Sequence, residues 1–192
     1  TSFTTTADTA QCRFDFFKVV GIYAGLNLVD HNGGDSSVLL QDIWDKVAGV
    51  DVTWRWLHAG VEYEDFDSNL APYQSLRLFE TFTIEPTDRS FLSLDLGQGQ
   101  RTFPDSGGTQ TTYLFIGRFK WRLTDAFDYN LEGGVRIMKG LGHDEQMGTV
   151  RTGLDYAYGK LTASAGYEFQ DETFLGELRR KHFLFLRCKR RF

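Results

Sequence analysis

Along residues 148–170, "GTVRTGLDYAYGKLTASAGYEFQ", apolar and polar side chains alternate with period two. Val150, Leu154, Tyr156 and Tyr158 share one parity with Thr152, and Arg151, Gly153, Asp155 and Ala157 share the other. After Gly159-Lys160 the pattern resumes: Leu161, Ala163, Ala165, Tyr167 and Phe169 alternate with Thr162, Ser164, Gly166 and Glu168. Alternation at 180° per residue marks a strand with two unlike faces, and the break at Gly-Lys marks a tight turn.

The same rhythm runs through the chain. Phe14, Phe16, Val20, Ile22, Ala24, Leu26 and Leu28 form one stripe. Val50, Val52, Trp54 and Trp56 form a second, and Ala59, Val61 and Tyr63 a third. Residues 75–84 read as a poorer strand, because Glu80 interrupts its stripe. Leu92, Leu94 and Leu96 follow, then Tyr113, Phe115, Phe119 and Trp121, then Phe127, Tyr129, Leu131, Val135 and Ile137. The last strand is "KHFLFLRCKRRF". The pattern predicts about ten strands of roughly ten to thirteen residues.

Short turns are expected near Leu57-His58, at "EPTDR", at "TDA" and at Gly159-Lys160, and longer links at 30–46, 67–74, 104–109, 140–147 and 171–180. An antiparallel up-and-down barrel with tight turns at one end and loops at the other fits this spacing. Residues 1–11 read as a flexible polar start and 12–192 as one barrel domain, either whole or the C-terminal part of a larger barrel. One loop is ambiguous. In "SSVLLQDIWDKVAG", Leu39, Leu40, Ile43, Trp44 and Val47 stand at helical spacing behind a Ser cap, and an early start of the next strand reads equally well.

Composition narrows the class. The 192 residues include 20 Gly and only 3 Pro, 15% are aromatic, and the net charge is −5, which offers nothing to nucleic acid. At 24% charged residues and without ~18 consecutive apolar positions, a transmembrane helix is excluded, whereas a transmembrane strand is only half apolar. No secretory signal is visible, and an exported, processed chain would open in this polar way. Cys12 and Cys188 form no CxxC pair.

Periodicity alone does not say whether the apolar parity points into a soluble barrel or out toward lipid. Strand length favours lipid, because a tilted strand needs ~9–11 residues to cross hydrocarbon. So does the gathering of Trp54, Trp56, Trp121, Phe127, Tyr129, Tyr156 and Tyr158 near the tight turns, where an aromatic girdle would sit. The opposite parity carries both signs of charge. Arg118, Lys120, Arg122, Glu132, Arg136, Arg151, Asp155 and Glu168 are the candidate lumen-facing residues, filling a narrow barrel with salt bridges or lining a wide one.

The chain closes on Phe192 after an alternating strand, "HFLFLRCKRRF". This resembles the C-terminal signature of bacterial outer-membrane β-barrel proteins, in which a terminal aromatic is read by the barrel assembly machinery. The resemblance implies a bacterial outer-membrane location, lipid and the assembly machinery as partners, and Phe192 as the assembly signal. "GYEFQDETFLGELRRKHFLFLRCKRRF" also looks like the last hairpins of large porin-like barrels, including those of porin–cytochrome conduits. Arg190 departs from the pattern, since it shares the outward parity of Phe192; near the strand end its long side chain reaches the headgroups.

Catalytic chemistry is sparse. His143 lies beside Asp144 and Glu145, and with His31, Asp30 and Asp35 would form an omptin-like site at the loop rim; a solvated loop explains the same residues. No spacing predicts a metal site, and no cofactor is implied. The expected role is a pore or a scaffold that holds a protein partner in the lumen or at the loops; the alternatives are a rim enzyme and a soluble ligand-binding barrel. With an even number of strands, Cys12 and Cys188 would approach one another at closure, giving a disulfide; two unrelated thiols are the plainer reading.

Overall fold

The computed structural model describes residues 4–32, 42–68, 70–142 and 144–190. Eleven strands follow one another: β1 (Thr4–Phe16), β2 (Val20–Asn32), β3 (Ile43–Trp54), β4 (Leu57–Ser68), β5 (Tyr73–Thr87), β6 (Ser90–Phe103), β7 (Gly108–Arg122), β8 (Phe127–Gly140), β9 (Glu145–Tyr158), β10 (Leu161–Phe174) and β11 (Glu177–Arg190). Their hydrogen-bonded order is their chain order, β1 to β11, an antiparallel meander without a crossover. The chain divides into two compact units, Thr1–Phe79 with Gln98–Thr111, and Glu80–Gly97 with Thr112–Phe192.

The expectation of about ten strands holds, with eleven among the described residues because the stripe from Phe14 to Leu28 is two strands and not one; two other expectations are corrected. The turn between them places Phe17 and Lys18 at φ of 52° and 56°. Left-handed geometry there matches the twist of the flanking strands, but Phe-Lys carries none of the Gly or Asn that usually announces it. Residues 4–11, read as a flexible start, belong to β1, whose Thr4 to Phe16 pair with Asn32 to Val20 of β2. Polar alternation without apolar stripes hid that strand. The long links also shrink: β10 and β11 are joined by Leu175-Gly176 alone, both at positive φ (51° and 79°). There the strands extend past their apolar stripes on charged side chains, with Asp171 opposite Arg180 and Glu172 opposite Arg179.

Ile43, Trp44 and Val47 sit on β3, so the strand reading holds for them; Leu39 and Leu40 lie outside the described residues. The tight turns between β3 and β4 and between β9 and β10 stand at Arg55-Trp56 and Gly159-Lys160, close to where the rhythm broke.

Register makes the two faces explicit, since directly opposed residues project to the same side. In the first unit Phe14, Ile22, Val50 and Val61 form one row, and Arg13, Tyr23, Gly49 and Glu62 the adjacent one. In the second unit Tyr129, Leu154, Ala165 and Leu186 are aligned, beside Glu132, Arg151 and Glu168. Apolar and polar parities therefore stay in phase from strand to strand.

The usual burial pattern is reversed. Among the described residues no hydrophobic side chain is buried, and the buried side chains are Asp51, Ser68, Ser75 and Ser93. Along β3 the covered positions include Asp45, Gly49 and Asp51, while Trp44, Ala48, Val50 and Val52 are exposed. Leu184 and Leu186 on β11 are 87% and 82% exposed.

Candidate polar face and its ion pairs

Within the second unit the polar parity of β6 to β10 carries a transverse ladder of alternating charge. The Arg118 guanidinium on β7 donates to Asp95 on β6 and, through Nε, to Glu132 on β8 at 2.8 Å. Glu132 stands opposite Arg151 of β9, which stands opposite Glu168 of β10. Arg151 Nε lies 3.5 Å from Glu168. The row thus reads acid, base, acid, base, acid over five strands. Each carboxylate meets a cation on a neighbouring strand, which is how both signs can share a face without repulsion.

A parallel arrangement flanks it toward each end. Arg122 lies 3.7 Å from Asp128 near the β7–β8 turn. Arg136 Nη2 lies 2.8 Å from Glu145 near the opposite end. Asp155 accepts from the Asn130 side-chain amide at 2.6 Å. The eight residues singled out from sequence therefore occupy one face of the second unit. Arg118 and Glu132 meet, Arg151 and Glu168 meet, and Arg122 and Arg136 take partners outside that set. Lys120 has no ion-pair partner among the described residues.

The first unit holds a second network that sequence reasoning missed. Arg13 grips Asp51 in a two-pronged contact, Nη1 to Oδ2 at 2.8 Å and Nη2 to Oδ1 at 2.9 Å, and its Nε reaches Asp15 at 2.8 Å. His58 Nε2 stands 3.7 Å from the same Asp51. Tyr23 donates to Glu62 at 2.7 Å and Tyr73 to Glu64 at 2.8 Å. Arg101 caps the Tyr73 ring at 4.7 Å, and Phe66 stacks on Tyr73 at 4.8 Å. Asp15, Asp51, Glu62 and Glu64 all lie on the polar parity, and that alternation was the available signal. Which carboxylate meets which cation depends on register, and a single chain does not give register.

Glycine admits large rings to the polar face. Tyr23 lies over Gly49, its partner in register, and Phe185 lies over Gly166 in the same way. A Cβ at either glycine would overlap the ring. The glycine lends its space to the neighbour's aromatic, and the pair fills one side-chain layer.

Cys12 and Cys188 are free and exposed. The expectation took about ten strands; among the described residues there are eleven, with Cys12 near the end of β1 and Cys188 near the end of β11. Phe192 and His143 lie outside the described residues, as do Asp35 and the side chain of His31, so the rim cluster and the terminal signal are not part of this geometry. No group of three or more His, Cys, Asp or Glu side chains among the described residues is arranged to hold a metal.

No family model and no curated protein matches the chain. Solved structures do. The chain is similar to in-vitro folded OmpT, an outer membrane protein of Vibrio cholerae, with a TM-score of 0.60 and 13% identity over 92% of this chain and 59% of that one. A loop L8 deletion mutant of OmpT matches at TM-score 0.60 and 12% identity, over 91% of this chain and 62% of that one. The trimer form matches at 0.60 and 13%, covering 92% and 60%. The chain thus spans about 60% of the length of these structures. At such identities the likeness bears on fold alone, and it assigns the meander to the antiparallel up-and-down β-barrel class.

Proposed function

We propose that the chain spans the bacterial outer membrane with its apolar parity against lipid and its polar parity lining a wet lumen, and that it serves passive passage of small solutes. The observation that carries this reading is the inverted burial: exposed Leu, Val, Phe and Trp on one parity, covered Asp and Ser beside ion-paired Arg on the other. In water such a surface would aggregate, because monomers rarely leave apolar patches beyond a few hundred Å² uncovered. In a bilayer the same surface is the one that lipid requires. The likeness to outer membrane proteins of Vibrio cholerae supports the same location.

The charged ladder favours a pore over a mere anchor. Charges that pair across neighbouring strands satisfy one another on the wall and need no partner from a filling plug. Lipid and the barrel assembly machinery are the partners of this reading.

The orientation is tested by refolding the chain into liposomes that contain brominated lipid. Trp54 and Trp121 lie on the apolar parity, and Trp54 is 62% exposed. Their fluorescence should be quenched strongly. Quenching no greater than that of a water-facing control would reject the orientation. Planar-bilayer recording then tests the pore: discrete conductance steps are expected, and a silent membrane holding correctly inserted protein would leave a scaffold role in its place.

A further inference from the structure

Between the two charged rows of the second unit runs a row of a different kind. Arg118 pairs with Glu132 and Arg122 with Asp128, so Lys120 falls opposite Asn130 by count along β7 and β8. Asn130 is in register with Gly153 of β9, Gly166 of β10 and Phe185 of β11. One cation, one amide, two glycines and one aromatic ring therefore cross the wall where ion pairs cross above and below.

Lys120, Asn130, Gly153 and Phe185 line a cavity of about 400 Å³, bordered also by the ion-paired Arg118, Glu132 and Arg151. Gly166 is already covered by the Phe185 ring, whereas a Cβ added at Gly153 would meet only the Ala165 carbonyl oxygen, at 3.6 Å. The open floor is thus Gly153. Phe185 forms one wall, steadied by the Arg151 guanidinium 5.8 Å from its ring, and Phe91 also borders the space. Within the slot the Asn130 amide is already held by Asp155. What remains open to a solute is a flat slot with an aromatic wall, the ammonium of Lys120 and the carboxylate of Asp155.

We propose that this slot binds small phenolic carboxylates. A planar ring fits over a floor that carries no side chain and packs against Phe185. The carboxylate answers Lys120, whose charge is the one in the slot left without a carboxylate. A ring hydroxyl answers Asp155, whose second oxygen is not used by Asn130. The neighbouring cations Arg118 and Arg151 are already paired with carboxylates, so they do not compete with Lys120 for the ligand's carboxylate. The inference shares with the proposed pore only the premise that the polar face is wet.

The test uses chain refolded in detergent and saturation-transfer NMR with 4-hydroxybenzoate, with acetate as a charge-only probe. Saturable binding of 4-hydroxybenzoate is expected, with ring protons receiving the strongest transfer. Lys120→Met should weaken it about tenfold, the loss of one charge-assisted contact. Gly153→Leu, which fills the floor, should abolish it, while Lys160→Met in the β9–β10 turn should leave it unchanged. Equal binding by wild type and Lys120→Met, no saturable binding by wild type, or acetate bound as well as 4-hydroxybenzoate would each overturn the assignment. If Gly153→Leu fails to refold, the Lys120→Met comparison decides alone. Failure here with tryptophan quenching intact removes the slot and leaves the membrane orientation standing.

Discussion

Leu154 and Asp155 are neighbours in the chain and belong to opposite faces. Leu154 lies in the row of Tyr129, Ala165 and Leu186, in the middle of the apolar band. Leu154→Arg should block assembly into membranes at a cost of ~2–4 kcal/mol; refolded fraction in liposomes against urea measures it. Asp155→Asn should be milder, because its partner is the neutral Asn130 and neither Arg151 nor Arg136 is stranded. The reverse order of effects would turn the faces around. Gly166→Ala tests the seat beneath Phe185. The added methyl overlaps the ring and also crowds the Thr152 carbonyl, so a loss of ~1–3 kcal/mol is expected, as for overpacking elsewhere. Gly166→Ala combined with Phe185→Ala should recover part of it, and purely additive losses would show that the ring and the glycine do not share that space. Arg118 holds two carboxylates. Partly exposed pairs of this kind contribute ~0–1 kcal/mol to stability, so Arg118→Met should fold nearly as well. In the proposed pore it should instead shift ion preference toward cations, read as a change in reversal potential under a salt gradient.

At the scale of strands and turns, period-two parity was the most legible feature. It located Gly159-Lys160, the β8 to β11 stripes and the polar parity on which all eight candidate residues fall. The first turn was not legible, because Phe17 and Lys18 are poor formers of the left-handed geometry they adopt. Hairpin pairing on both sides holds them there against their own preference, with the Val19 amide bonded to the Phe16 carbonyl at 3.0 Å. Replacing the pair by Asn-Gly, which adopts this geometry without strain, should raise stability by ~0.5–1 kcal/mol in denaturant titration. Gly176→Ala should act the other way by about 1 kcal/mol, since Gly176 has φ of 79°. The Arg13–Asp51–His58 network was illegible for a different reason. Arg13 and Asp51 are 38 residues apart, and only the registers of β1 with β2 and of β2 with β3 bring them together.

For the molecule as a whole, inverted burial is the property that a stripe of alternating residues predicts in two opposite forms. Composition could not decide between them; the ion pairs across neighbouring strands favour the lipid-facing form, because they show the charged parity to be organised against itself. Two free thiols follow from the exposed Cys12 and Cys188. Alkylation without prior reduction should add two labels to the refolded chain, and a linked peptide spanning the two sites would contradict it. The meander has one more consequence, for kinetics. Each strand's neighbours in the sheet are its neighbours in sequence, so contact order is low and each pairing closes only a short loop. A hairpin of this kind forms in ~1–10 μs. The search for partners is then brief. In the proposed membrane setting the slow step of biogenesis should fall on transfer of preformed hairpins into the bilayer, and a poor turn should delay its own hairpin without scrambling the rest.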